Sequence, residues 1–236
     1  MENLLFIDVE TIRCTDDFIM EQLLDKKLNN IKPSANCKSD EAKAKSIQKQ
    51  KDEFNPDSVI EKTVFDPSYG ELITIGYAFD NEDVIALQRD SYVDEKAILQ
   101  NFFDNIAAYA DKVNIPVKLI TIKWIAHNFN FDFGYIYKRS VINNINTHGL
   151  KIPFGCRHDS QYAYCTLQAW NGFGAKAGGS LDELCFLLGL KGKDGFDGSM
   201  VYGAWKAGEY DRISSYCRND VDLLRQIYKR QQFIDD

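Results

Sequence analysis

The stretch LLFIDVETI, residues 4 to 12, constrains this chain more than any other. It opens as an apolar run suited to a buried strand, predicted over residues 3 to 9. Yet Asp8 and Glu10 lie at its end with only Val9 between them. In a strand, residues two apart project from one face, so both carboxylates point together. Side by side they repel and raise each other's pKa unless positive charge lies between them. A hard divalent cation such as Mg²⁺, which prefers oxygen ligands, is the simplest such charge. A lone D-x-E also arises wherever a strand simply ends in solvent.

Two further motifs bear on that choice. HNFNFDF (127 to 133) puts Asn128 and Asp132 at a strand-to-helix junction, where α/β folds build ligand sites. The helix dipole also favours an acid such as Asp132 in a first turn. YCRND (216 to 220) puts Tyr216 and Asp220 four apart on one helix face. Asp222, two residues further on, points elsewhere.

The order D-x-E, N-x-x-x-D, Y-x-x-x-D resembles the three motifs of the DEDD superfamily of 3′–5′ exonucleases, in its tyrosine-bearing branch. FDPSYGELITIGYAF, SLDELCFLLGL and DGSMVYGAWKAGEYDRISSYCRNDVDLL are similar to predicted exonucleases related to the proofreading domain of family B DNA polymerases. The histidine branch carries His five residues before the last Asp. That position here is Ser215, and the histidines at 127, 148 and 158 all lie upstream. The resemblance implies an α/β, ribonuclease H-like fold: a mixed five-stranded sheet with a central first strand, flanked by helices. It implies Asp8, Glu10, Asp132 and Asp220 as metal-binding acids and Tyr216 as the residue that positions water.

Four such carboxylates suit two Mg²⁺ or Mn²⁺ ions about 4 Å apart, the separation in two-metal phosphoryl-transfer sites. With a reference pKa near 10, a tyrosine orients water rather than deprotonating it. Asn128 is expected either to hydrogen-bond the terminal nucleotide or to cap a helix beginning near Phe131. Phe129, Phe131 and Phe133 alternate about the second motif and are candidates for stacking on unpaired bases. Lys138, Arg139, Arg157 and His158 are candidates for phosphate contacts, with a solvated face as the alternative. His127 is assigned a structural or phosphate-facing role.

The expected reaction is hydrolysis of the terminal phosphodiester of single-stranded or frayed DNA 3′ ends. An RNA 3′–5′ exonuclease and a non-catalytic nucleic-acid-binding or polymerase-accessory module are the alternatives. A glycosidase with paired carboxylates needs no Tyr216 four before Asp220 and would tolerate chelators. The expected partner is nucleic acid, DNA ahead of RNA, with a polymerase or repair partner left open and no membrane.

One domain over residues 1 to 236 is expected, with a charged insertion at about 14 to 62. Within it, residues 16 to 30 have helical apolar spacing, while 39 to 54 are charged with few anchors. One or two helices, mobile for lack of anything to bury, are expected there. Residues 70–80 and 82–88 read as a hairpin, 94–110 as an amphipathic helix, 117–128 as a strand and 131–142 as a helix. Ser180 and Glu183 form a capping box, and helices follow near 199–208 and over 209–233. The glycine-rich GFGAKA (172–177) follows no predicted strand and reads as a loop.

Composition bounds the rest. With 236 residues and 44% hydrophobic content, the chain can bury one sizeable core. No run of about 18 apolar residues suggests a membrane span. The opening MENLLFIDVE lacks a basic segment before its apolar run, unlike a secretory signal. The 6 cysteines include no C-x-x-C pair, which suits reduced thiols in a cytoplasmic protein. Cys156, His158 and Cys165 are poorly spaced for zinc and lack a fourth ligand. A net charge of −7 argues against coating nucleic acid through a general positive field, though not against a local grip.

Overall fold

A computed structural model describes residues 3–155, 160–172, 178–192 and 195–234. The chain divides into two compact units: Met1–Ile12 with Leu72–Asp236, and Arg13–Glu71.

The larger unit is built on a five-stranded sheet. Its strands are β1 (Asn3–Ile12), β2 (Glu71–Phe79), β3 (Ile85–Gln88), β4 (Ile122–Ala126) and β5 (Ala163–Cys165), in the order β3-β2-β1-β4-β5. β1 is central, as expected. It pairs in parallel with β4 from Asn3↔Ile122 to Phe6↔Ile125, and β4 pairs in parallel with β5. β2 and β3 form the expected antiparallel hairpin. Asp80, just past β2, donates its N–H to the Leu4 carbonyl and accepts the Leu4 N–H on its carboxylate. The end of β2 therefore lies beside the start of β1, and the sheet is mixed.

Alternation along β1 sorts its side chains into two layers. Leu5, Ile7 and Val9 enter the core beneath α4 (Glu95–Lys112) and α5 (Phe129–Ile142). Phe6 packs on the other face with Val221, Leu224 and Tyr228 of α9 (Tyr210–Gln231). Ile12 meets Ile213 of the same helix. α9 takes this place through its apolar stripe: Ile213, Cys217, Val221, Leu224 and Tyr228 recur every three or four residues and are all buried. α6 (Thr166–Trp170), α7 (Leu181–Leu187) and α8 (Val201–Lys206) complete the described helices of this unit.

Glu95 ties three elements together. Its carboxylate accepts the Leu72 N–H at 2.7 Å, two Arg139 guanidinium N–H groups at 2.8 and 2.6 Å, and Asn143 Nδ2 at 2.9 Å. This corrects the expectation for Arg139, which is held in a buried ion pair rather than presented to phosphate.

Several boundaries shift. The strand expected over 117–128 is confined to Ile122–Ala126, because turn hydrogen bonds from Leu119 and Ile120 to the Pro116 carbonyl occupy its first part. The helix expected from 131 starts at Phe129. Ser180 caps α7 by accepting the Glu183 N–H, as expected. The segment expected as a helix at 199–208 splits into a 3₁₀ turn, Gly198–Met200, and α8. β5 and α6 have no counterpart in the sequence expectations.

The unit Arg13–Glu71 is wider than the expected insertion. It holds three helices, α1 (Asp17–Asn29), α2 (Asp40–Asp52) and α3 (Pro56–Glu61), then the 3₁₀ turn Lys62–Phe65. Its buried residues include Cys14, Leu23, Ile60 and Thr63. The Thr63 hydroxyl accepts the Cys14 N–H and donates to the Ile60 carbonyl. α2 buries no residue at all. Polar contacts hold it instead: the Ser34 N–H donates to Ser46 Oγ at 3.1 Å, and Gln50 Nε2 donates to the Lys32 carbonyl at 3.0 Å.

Candidate active site

Asp8 and Glu10 belong to the same face of β1 as Phe6 and Ile12, the face that α9 covers. A covered strand end would ordinarily be apolar. Here α9 presents Cys217 and Asp220 from its buried stripe and half-buried Tyr216 beside them. One ligand atom from each of Asp8, Glu10 and Cys217 lies within 4.8 Å of the others. Tyr216 and Asp220, one helical turn apart, are hydrogen-bonded side chain to side chain.

Asp132 arrives from α5. β4 stops at Ala126 while β1 runs on to Ile12. Beyond the end of β4, Asp132 in the first turn of α5 hydrogen-bonds the Val9 backbone. Three elements thus place Asp132, Tyr216 and Asp220 within electrostatic reach of this region, while among the described residues the ligand atoms that lie mutually within 4.8 Å are those of Asp8, Glu10 and Cys217. Glu10, Asp132 and Asp220 are 7%, 5% and 4% exposed, and Asp8 is half-buried.

The electrostatics follow from that burial. Asp132 is pushed up from the ordinary carboxylate range, first by desolvation, against the pull of its backbone hydrogen bonds, and further by the Asp220 charge. Burial raises the Tyr216 phenol far above its usual value, and the charges of Asp220, Glu10 and Asp8 add to this. Burial likewise raises the Cys217 thiol, with Asp8, Glu10 and Asp220 contributing. Buried anions facing one another, all with oxygen donors, fit a hard divalent cation: such an ion would relieve the repulsion and compensate the desolvation.

Around this centre the candidate substrate contacts separate. Asn128 occupies the N-cap position of α5, yet its side chain makes no capping bond and is exposed. Phe131 is half-buried, with its ring 5.0 Å from that of Tyr135. Phe129 and Phe133 are 3% and 1% exposed and stack edge-on in the core, so neither is available to a base. His127 is structural: Nδ1 is 3.0 Å from Thr166 Oγ1 and Nε2 is 3.0 Å from the Gly179 carbonyl. Asp222 points away and pairs with Arg225. Lys138 is half-buried on α5. Cys156, Arg157 and His158 lie outside the described residues, as does GFGAKA beyond Gly172. Cys165 is a buried thiol that donates to the His127 carbonyl.

Two residues escape sequence reasoning. Cys217 looks like a chance neighbour of Tyr216, yet its Sγ donates to Asp8 Oδ2 at 3.4 Å. Gly76 on β2 reads as an ordinary strand glycine, yet a Cβ there would sit 2.7 Å from Cys217 Sγ and 3.1 Å from the Cys217 carbonyl. The one signal in the sequence is a glycine in a strand interior, which often marks a close approach.

A central parallel strand ending in paired acids, with a third from a crossover helix and a fourth from the covering helix, defines a ribonuclease H-like α/β protein with a carboxylate centre. The model of the family described as predicted 3′–5′ exonucleases related to the exonuclease domain of PolB matches residues 68–235, and the chain belongs to that family. The match includes Asp132, Tyr216 and Asp220. It begins after β1, so the fold rather than the family match brings Asp8 and Glu10 to them. Among solved structures, the family B DNA polymerase of the hyperthermophilic archaeon Pyrobaculum calidifontis is similar over 99% of this chain, with a TM-score of 0.58 and 11% identity. The likeness is one of fold, and the chain corresponds to 25% of that polymerase. No curated protein matches the chain.

Proposed function

We propose that this protein is a metal-dependent 3′–5′ exonuclease that hydrolyses the terminal phosphodiester of DNA, at single-stranded or frayed 3′ ends. The observation that carries the reading is the convergence of Asp8, Glu10, Asp132, Asp220 and Tyr216 from β1, α5 and α9. The relation of the family to a polymerase exonuclease domain favours DNA over RNA. A cytoplasmic location, where thiols stay reduced, is part of the same proposal.

Asp8, Glu10, Asp132 and Asp220 are the residues that would hold two divalent ions, Mg²⁺ or Mn²⁺. Bound there, such ions lower the pKa of water and stabilise charge on attacking and departing oxygens. Tyr216 is protonated at neutral pH, because a tyrosine ordinarily ionises near 10 and burial opposes its ionisation further. Its hydroxyl therefore orients the attacking water and does not deprotonate it. Asn128, exposed at the end of β4, offers an amide to the terminal nucleotide. Phe131 offers the remaining ring edge of its cluster to the last base.

Incubation with 5′-labelled DNA and RNA oligomers in Mg²⁺, Mn²⁺ or EDTA tests the proposal. The expected result is a ladder shortened from the 3′ end, on DNA, abolished by EDTA. Cleavage that persists in EDTA would overturn the metal mechanism, and shortening of RNA alone would overturn the substrate.

A further inference from the structure

We propose that Cys217 is a positioning residue that sets the orientation of the Asp8 carboxylate, and that Gly76 is glycine to leave it room. This rests on the reading of Asp8 as a metal ligand.

Four observations carry the inference. Cys217 Sγ lies 3.4 Å from Asp8 Oδ2 and 3.5 Å from the Asp8 carbonyl, so the thiol bridges side chain and backbone of one residue. The thiol is wholly buried, so it meets Asp8 from the protein side of a carboxylate that is itself only half-buried. It sits on a helix held along the strand by Ile213, Val221 and Leu224, which limits its movement relative to β1. Finally, any Cβ at residue 76 would meet Sγ at 2.7 Å and Val221 Cγ2 at 3.1 Å, so β2 gives way to α9 where the thiol lies.

The chemistry suits the task. A carboxylate held through Oδ2 rotates less freely about its Cβ–Cγ bond, which steadies the orientation of both its oxygens. A thiol is a weak, neutral donor. It orients the anion without the charge neutralisation that Lys or Arg would impose, and so leaves the carboxylate's attraction for a cation intact. Partners that hold a metal ligand in place are commonly worth 10–100-fold in metal affinity.

The test compares Cys217→Val, an apolar and somewhat larger side chain that removes the donor, with Cys217→Ser, which keeps a donor. Cys217→Ala serves as a roomier donor-free variant should Val crowd Gly76. Mn²⁺ binding to EDTA-stripped protein is measured by calorimetry, and turnover is measured against Mn²⁺ concentration. The donor-free variants are expected to bind Mn²⁺ on the order of tenfold more weakly. Their loss should appear mainly in the Mn²⁺ requirement and less at saturation, with Ser restoring most of the affinity. Wild-type affinity in a folded donor-free variant, or a Ser variant as weak as Val, would overturn the positioning role and leave the exonuclease reading standing. Absent nuclease activity with the affinity split intact would overturn the nuclease and leave the positioning role. A wild-type protein that binds no Mn²⁺ overturns both.

Discussion

At the scale of single residues, the site is a set of anions kept close against their repulsion. Asp8→Asn is nearly isosteric and removes one of those charges. It should abolish nuclease turnover while leaving the unfolding temperature in EDTA unchanged or higher, as thermal denaturation with and without chelator would show. A variant with near wild-type turnover would remove Asp8 from the machinery. Tyr216→Phe deletes one hydroxyl, and its ring keeps its edge-on packing with Phe196, whose centroid lies 5.0 Å away. Turnover should fall roughly ten- to thousand-fold, the range of a positioned proton-handling group. Affinity for DNA in Ca²⁺ should barely change. D-x-E spacing made Asp8 and Glu10 legible as a pair, and four-residue spacing did the same for Tyr216 and Asp220. No spacing rule reaches Cys217, because its partner lies 209 residues away in sequence.

At the scale of elements, the Glu95 carboxylate is a junction between β2, α4 and α5. Its pair with Arg139 is buried, with side-chain exposures of 9% and 11%. Breaking a buried pair from one side leaves the other charge without compensation, so Glu95→Ala should cost about 3–5 kcal/mol of stability. Denaturant unfolding of the variant measures this, and a loss below about 1 kcal/mol, the scale of an exposed pair, would contradict the assignment. Helix α2 presents a different case. Residues 26 to 51 carry eight lysines against Asp40 and Glu41. Three of these lysines form pairs along α2, Lys43–Asp40, Lys45–Glu41 and Lys49–Glu53. Replacing 26 to 51 by a Gly/Ser linker should lower the salt slope of DNA binding by about one unit for each phosphate the segment neutralises. Rate at saturating DNA should hold. An unchanged slope would reduce the segment to a solvated face. Apolar periodicity marked α1 alone; α2 lies in the charged stretch with few anchors, and α3, with its Asn55 cap and first-turn Pro56, is a helix of only 6 residues.

At the scale of the whole molecule, the proposed metal centre would couple folding to metal. A cation that binds only the folded state stabilises it by about 2.7 kcal/mol at a hundred times its dissociation constant. Mg²⁺, Mn²⁺ and Ca²⁺ should therefore each raise the unfolding temperature, EDTA should reverse the rise, and Asp8→Asn should blunt it. No response to any of the three ions would argue against a metal centre. Much of this architecture could be read from the chain alone, because short-range signals encode it: the apolar β1, the β2–β3 hairpin, the amphipathic α4, the long α9 uninterrupted by Pro or Gly, and the carboxylate motifs with their order. The remainder depends on residues distant in sequence. β5 has 3 residues, too few for a periodic signal, and is a strand because β4 pairs with it. Phe129 and Phe133 differ from Phe131 only in where α5 turns them, and Arg139 is withdrawn from solvent by an acid on another helix. Gly76 and Cys217 meet because α9 packs against β2. Local patterns specify what an element presents; which groups it meets follows from packing, where burial, repulsion and close approach act between residues that sequence spacing does not relate.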